Sequence, residues 1–371
     1  MGLKVGVVAR CLNTAHIRGM GRYVFELLRQ SQPGHDIDWY VFGDDTSHQM
    51  TAPRGGRINA DVFAFRGDRF HLWEQIGLPL RALKRGVDLL HCTESTLPIW
   101  QPKPTVVTVH DALMWDDDFE SIEARAYFNR LLPAAMKKSA AIITISESSR
   151  HDILKKWPWL EAKLSVIPHG IASEYFVEQR AALPESLESH IGHAPYIVYL
   201  GGSMERKRFP WALNVIARCK HKSVKLVACG FGSEARDKTS RNLPVELQER
   251  VYLSPFLSDS ELLALYKGAQ AVLYPTLYEG FGFPALEAQA AGVPVIFSAL
   301  GSLQELIGPL ALVVPPFDLE AWLSALTEAL SMGERRAEKA QAARIWARKF
   351  SWSESFEKHL AVYRKAANAR A

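Results

Sequence analysis

Two carboxylates, Glu279 and Glu287, stand eight residues apart in the segment YPTLYEGFGFPALEAQAAGVP, residues 274–294. The segment reads as a strand ending at Tyr274 and Pro275, a loop carrying Glu279, Gly280, Phe281 and Gly282, and a helix with Pro284 as its first residue, where a missing N–H costs nothing. Such a junction leaves backbone N–H groups and the positive end of a helix dipole beside the loop, which suits phosphate or sugar oxygens. Glu287 lies about one turn into the helix, and a rise of roughly 1.5 Å per residue keeps it in reach of the ligand that Glu279 touches. Two acids so placed grip hydroxyls at two parts of an extended ligand. Taken alone, the spacing reads more simply as a loop acid and a solvated helix acid.

Cations come next. The string GGSMERKRF, residues 201–209, follows the strand YIVYL, so Arg206 and Lys207 sit where a βα loop brings a guanidinium fork and an ammonium point charge toward a diphosphate. In isolation the string is also a solvated basic turn. RGMGRY, residues 18–23, follows the first strand and opens a helix, and Gly19 and Gly21 would let backbone approach a phosphate or an acceptor. A lone G-x-G says little, and this one lacks the third glycine and the acid of a dinucleotide fingerprint. His110 and Asp111 end the strand TVVTVH, where a side chain would face a ligand. The acidic run Asp116, Asp117 and Asp118 lies outside any glycine-rich phosphate loop and reads as a solvated loop before a metal site.

The elements that must position these groups alternate. Strands are expected at residues 3–9, 38–43, 87–91, 105–110, 141–146 and 164–167, with helices at 21–30, 121–139 and 146–156. A polar stretch, residues 173–195, reads as a connection. Alternation then resumes, with strands at 196–200, 224–228, 271–274, 293–298 and 312–314 and helices at 208–221, 258–267, 284–292 and 318–331. A helical tail starts near 334 and breaks at 350–352, and Phe356 and Tyr363 give its last part an apolar face. This pattern means α/β architecture with two doubly wound parallel sheets in tandem, whose ligands lie beyond the carboxyl ends of the strands.

Bulk properties agree. A chain of 371 residues, 48% hydrophobic and 23% charged, is globular and long enough for two domains. Forty-four Lys and Arg against 40 Asp and Glu leave +4, which suits phosphate ligands or an anionic membrane surface and is too small for nucleic acid. The four cysteines form no C-x-x-C pair, as in a reduced compartment, and each reads as a small buried apolar residue. Met1 leads into the first strand without a secretory pattern, so a cytoplasmic protein is expected.

The segment 274–294 as a whole resembles the signature of the retaining family 4 glycosyltransferases. The resemblance implies the GT-B fold, two Rossmann-like domains facing each other across a cleft. In that family the first acid, here Glu279, lies beside the donor sugar, the second, here Glu287, binds the nucleotide ribose, and the loop of Gly280, Phe281 and Gly282 holds sugar hydroxyls. The family's Arg–Lys pair is usually followed by Gly or Asn, where this chain has Arg208. Gly202 or Ser203 falls where some members carry a further phosphate-binding Arg. The family's His–Asp pair makes His110 a donor-sugar contact, with Asp111 on the acceptor side; its loop at 18–23 lines the acceptor side, with Arg22 an acceptor contact, while Gly19 and Gly21 are expected here at the donor phosphate. LWEQIGLP (72–79), HCTESTLP (91–98), ITISESSRHDI (143–153) and VIPHGI (166–171), with His169 where Asn is usual, extend the likeness over nearly the full chain.

The resemblance implies an acceptor-side domain at 1–172, a linker at 173–195, a nucleotide-sugar domain at 196–350 and a C-terminal helix at 351–371 packing back on the first domain. It also implies metal-independent transfer without a cofactor, closest in pattern to bacterial mannosyltransferases of surface-polysaccharide and lipopolysaccharide assembly. GDP-mannose is the first donor expected, a UDP-sugar the second, and the acceptor a saccharide or lipid-linked saccharide. Arg150, Lys155, Lys156, Trp157 and Trp159 offer peripheral contact with the inner face of the membrane, or an ordinary solvated helix end. A nucleotide-sugar epimerase on the same architecture would turn over donor alone. A non-catalytic subunit would bind nucleotide without turnover.

Overall fold

The short β-branched runs form the inner strands of two wholly parallel sheets. The computed structural model describes residues 2–17, 19–65, 69–115, 127–177 and 182–368. The chain divides into one unit of Met1–Gly170 with Phe350–Ala371 and another of Ile171–Lys349. Residues 173–195, expected as a linker, belong to the second unit, where Tyr175, Leu187 and Ile191 are buried and Glu185–Ile191 is helical.

In the first unit β1 (Leu3–Val8), β2 (Ile37–Gly43), β3 (Arg57–Val62), β4 (Leu89–Cys92), β5 (Thr105–Thr108), β6 (Ala141–Thr144) and β7 (Leu164–Val166) stand in the order β3-β2-β1-β4-β5-β6-β7. Strands β4 and β5 are buried at every position, as parallel strands covered on both faces must be. β3 was not expected: RINADV has no apolar alternation because it is a largely solvent-facing edge strand. β5 stops at Thr108, so His110 lies two residues beyond the strand. Of the helix expected at 121–139, residues 121–126 lie outside the described ones, as do Asp116, Asp117 and Asp118. A π-helical turn at Tyr127–Leu131 and a helix at Leu132–Lys138 follow.

The second unit orders β8 (Tyr196–Leu200), β9 (Lys225–Cys229), β10 (Val251–Leu253), β11 (Ala271–Tyr274), β12 (Val295–Phe297) and β13 (Ala311–Val313) as β10-β9-β8-β11-β12-β13. The strand order reverses between β8 and β11, and the loops after those two strands carry Arg206, Lys207 and Glu279. The helix Ser233–Arg241 was also unexpected, since none of its residues is buried and no apolar period marks it. Cys92, Cys219 and Cys229 are buried as expected, whereas Cys11 is half-buried.

The C-terminal helix Trp352–Asn368 packs on the helix Gly19–Arg29 and on β4 and β5. Trp352, Phe356, Leu360, Tyr363 and Ala366 are its buried apolar residues. His91 lies beneath it and His359 on its buried face; burial pushes both pKa values down, His359 to about 4, so both rings are neutral. Neutral rings and carbonyl acceptors then fix the direction of every hydrogen bond. His359 Nδ1 donates to the Ser355 carbonyl (2.7 Å), so Nε2 accepts from the Tyr23 hydroxyl (2.8 Å). Tyr23 accepts from Thr108 Oγ1 (3.0 Å), Thr108 from His91 Nε2 (2.8 Å), and His91 Nδ1 from the Tyr363 hydroxyl (2.7 Å). The relay starts and ends on the C-terminal helix.

This arrangement predicts acid sensitivity. A histidine depressed in the fold contributes nothing above its unfolded pKa of about 6.5 and costs stability as pH falls toward its folded value. For His359 the window is about 6.5 down to about 4. At pH 5 the loss from that ring is on the order of 2 kcal/mol. Urea unfolding at pH 7.5 and pH 5 measures it, and His359→Gln is expected to flatten the difference.

Candidate active site

Beyond β11 the chain turns through Thr276 to Gly282 and enters the helix Phe283–Ala290. Pro284 is the second helical residue, not the first, and Gly282 caps the helix in left-handed conformation at φ 100°. Only glycine fits Gly282, because a Cβ there would meet the Leu303 side chain at 2.6 Å. Ser302 Oγ donates to the carbonyls of Glu279 (2.7 Å) and Phe281 (2.9 Å) and so fixes the loop from a distant segment. Gly280 and Phe281 are buried in that loop.

Glu279 is 7% exposed and sits among cations. Lys207 Nζ donates to its Oε1, Arg206 Nη1 lies 3.1 Å from the same oxygen, and Lys207 also donates to the Tyr274 hydroxyl (3.1 Å). Arg206 donates to the Tyr278 carbonyl as well (2.7 Å). Burial acts to raise the pKa of Glu279, but the charges of Lys207 and Arg206 outweigh it and hold the carboxyl below its ordinary value. The site is therefore a charged triad with a net single positive charge, formed where the loops after β8 and β11 meet.

Arg208 does not join it. Its guanidinium stands over Phe317, 5.1 Å from the ring centroid. Nor does Gly202 leave room for a further arginine. It is left-handed at φ 61°, and a Cβ there would meet the Gly230 carbonyl oxygen at 2.2 Å. Ser203 is exposed. Glu287 is 2% exposed and accepts from the Tyr266 hydroxyl (2.9 Å), so it is no solvated helix acid.

In the first unit His110 is buried, with burial lowering its pKa. Its Nε2 donates to the Thr93 carbonyl (2.7 Å), which leaves Nδ1 of the neutral ring as a hydrogen-bond acceptor. Ser95 and Ser149 hold its backbone: His110 N–H donates to Ser95 Oγ (3.1 Å), and Ser149 Oγ donates to the His110 carbonyl (3.0 Å). Asp111 Oδ1 accepts from the Leu113 N–H (3.0 Å). Gly21 is pressed against the preceding turn, where a Cβ would meet the Cys11 carbonyl at 2.8 Å, whereas Gly19 opens the helix with nothing near a Cβ. Arg22 is half-buried on that helix. His169 is buried against Tyr23 and Trp352, at ring separations of 4.7 and 5.5 Å. Among the described residues no group of three or more His, Cys, Asp or Glu could hold a metal ion.

Tyr274, Tyr266, Ser302, Thr93 and Ser95 are the partners that sequence reasoning missed. Tyr274 stood at an expected strand end, two residues before the loop. The others are brought in from separate elements, and no local spacing announces them.

The family description "Glycosyl transferases group 1" matches residues 188–346, and "Glycosyltransferase Family 4" matches residues 17–175. The O-antigen chain mannosyltransferase RfbU of Salmonella typhimurium is 29% identical over 67% of this chain and 67% of its own. The MMP alpha-(1->4)-mannosyltransferase of Mycolicibacterium hassiacum is 29% identical over 71% of this chain and 66% of its own. A D-inositol 3-phosphate glycosyltransferase of Corynebacterium efficiens is 25% identical over 88% and 78%. Among solved structures, a Rickettsia africae glycosyltransferase superimposes with TM-score 0.71 at 18% identity over 98% of both chains. WaaG, a glycosyltransferase involved in lipopolysaccharide biosynthesis, does so with TM-score 0.70 at 16% identity over 96% and 99%. These folds are GT-B.

The triad makes a stability prediction. Lys207→Ala leaves a buried carboxylate short of its main counter-charge, which is expected to cost about 3–5 kcal/mol. The double variant Lys207→Met, Glu279→Gln removes both charges and is expected to recover part of that loss. Chemical unfolding of the three proteins decides it, and equal losses in single and double variants would count against the pairing.

Proposed function

We propose that this chain, which belongs to the family 4 glycosyltransferases, is a retaining, metal-independent hexosyltransferase that moves mannose from GDP-mannose onto a saccharide or lipid-linked saccharide. A UDP-sugar is the second donor. The observation that carries the reading is the triad of buried Glu279 and Lys207 with half-buried Arg206 at the point where the strand order of the second sheet reverses. The mannosyltransferases among its relatives support the choice of sugar.

In this reading Arg206 and Lys207 take the diphosphate, Glu287 the ribose, and the amides of Gly280, Phe281 and Gly282 the sugar hydroxyls. Gly19 and Gly21 are assigned to the donor phosphate, and Arg22 and Asp111 to the acceptor. His110, through Nδ1, accepts a hydrogen bond from a hydroxyl of the donor sugar. During transfer the bond from the anomeric carbon to the diphosphate oxygen breaks and its electron pair leaves with the phosphate. The acceptor hydroxyl oxygen bonds to that carbon, and its proton passes to the departing phosphate oxygen. The cations stabilise the leaving charge by fixed electrostatics, while the Glu279 carboxylate faces the positive charge growing on the sugar.

Membrane contact also shifts within the first unit. Arg150 pairs with Glu161 and Glu147 (3.2 and 3.8 Å), and Lys156 donates to the Trp115 carbonyl (3.2 Å), so two of that patch's cations already have partners. An exposed stripe of Leu72, Ile76, Leu80 and Leu83 offers a broader apolar surface for a peripheral contact, with Lys84 beside it and Arg81 and Arg85 paired with Asp61. No helix among the described residues is long and apolar enough to cross a membrane.

Two experiments test these readings. GDP and GDP-mannose are expected to raise the melting temperature more than UDP or UDP-glucose, since a true ligand stabilises the native state by mass action. Glu279→Gln is expected to cut transfer at least about a hundredfold while remaining folded by circular dichroism. Near-normal turnover would remove Glu279 from the chemistry, product from donor alone would mean an epimerase, and an inverted anomeric proton signal would end the retaining assignment. Separately, vesicles containing phosphatidylglycerol should float the protein and pure phosphatidylcholine should not. Ile76→Asp with Leu80→Asp is expected to abolish flotation, and unchanged flotation would dismiss the stripe.

A further inference from the structure

Two residues of the second unit hold left-handed backbone without being glycine, Arg208 at φ 53° and Phe317 at φ 59°. That region is costly for a residue with a Cβ and persists where the surroundings impose it. The two face each other, with the Arg208 guanidinium carbon 5.1 Å from the Phe317 ring centroid. Trp211 meets the same ring edge-on at 5.4 Å and 84°, and Trp322 meets Trp211 at 6.3 Å. Phe317 is thereby tied to the helices Phe209–Arg218 and Leu319–Leu330, yet stays 48% exposed.

Arg208 occupies a hinge between two elements. Its N–H donates to the Glu205 carbonyl (3.0 Å) and closes the short 3-10 turn Glu205–Lys207, while its carbonyl accepts from the Trp211 N–H (2.9 Å) and opens the following helix. The turn it closes is the one that presents Arg206 and Lys207, and the Arg206 carbonyl accepts from the Leu277 N–H (2.9 Å) on the Glu279 side. The angle at Arg208 therefore sets where the two cations point. A cation–π contact at so exposed a site is smaller than the strain of a left-handed residue, and it adds to the Glu205 and Trp211 hydrogen bonds that hold Arg208 in place.

We propose that Phe317 is a positioning residue for the diphosphate cations: its ring holds the Arg208 guanidinium and so maintains the left-handed turn that aims Arg206 and Lys207 at Glu279. This rests on the reading of those cations as the donor's phosphate contacts. Phe317 touches no donor atom in this account and acts through Arg208.

The test is calorimetric titration of GDP and UDP into wild type, Phe317→Ala, Arg208→Gly and the double variant, with melting temperatures for all four. Phe317→Ala is expected to weaken nucleotide binding about two- to fivefold, raising KM for the donor with little change in kcat. Arg208→Gly is expected to bind as wild type, because glycine adopts the conformation without strain. In that background Phe317→Ala should have no further effect, a rescue that a merely structural role would not produce. If wild type binds neither nucleotide, the donor reading fails and takes this inference with it. If wild type binds but Phe317→Ala binds equally well, or the double variant is as weak as Phe317→Ala, the positioning role alone is overturned.

Discussion

A carboxylate stays charged in a protein interior only beside a counter-charge, and Glu279 with Lys207 and Arg206 is the pairing on which the second unit's site depends. The three groups come from two loops that are far apart in sequence and adjacent only because β8 pairs with β11. Once the sheet brings those strand ends together, neither loop can relax alone: moving the Arg206–Lys207 turn strands an acid, and moving the Glu279 loop strands two cations. The backbone is held to match, since Ser302 bonds to the Glu279 and Phe281 carbonyls and Leu277 donates to Arg206. Charge pairing thus does for this loop cluster what apolar contact does for the core beneath it.

The first unit solves a related problem without net charge. Its central strands place His91 and Thr108 in a dry layer under the C-terminal helix, where unmade hydrogen bonds would be costly. The relay from Tyr363 to Ser355 uses each of these groups once and in one direction, which requires both histidines to be neutral. It also makes the last helix part of the first unit although it follows the second in sequence. His110 gains from the same layer: desolvation keeps its ring neutral, and the Thr93 carbonyl selects the tautomer.

Most of this architecture was legible where the physics is local. Runs such as YIVYL and TVVTVH announce buried parallel strands, and their alternation with helical periods announces two doubly wound sheets. Edge elements were silent for the opposite reason. RINADV at β3 and the polar helix Ser233–Arg241 face water and need no apolar pattern. At the site, the residue types and the loop-to-helix junction could be read, but not the pairing. That Glu279 is neutralised by Arg206 and Lys207, that Glu287 is buried against Tyr266, and that Arg208 turns to Phe317 are all long-range facts. Gly202 is an exception of another kind. Its glycine was visible, but only the Gly230 carbonyl beside it explains why no arginine can stand there.

Under the function proposed above, the arithmetic of the triad bears on how one cluster would serve both ends of a breaking glycosyl bond. Two cations against one carboxylate leave a single positive charge, enough to favour a diphosphate without trapping it as an uncompensated pair would. As the bond lengthens, negative charge moves onto the phosphate and positive charge onto the sugar carbon. In that proposal the cations are drawn toward the phosphate, and the carboxylate that had been balancing them is freed to balance the sugar. Stabilisation therefore grows along the reaction coordinate, which is what separates catalysis from uniform binding. That exchange would start from the contact the cations already make with Glu279, so it depends on the turn that presents Arg206 and Lys207 keeping its direction.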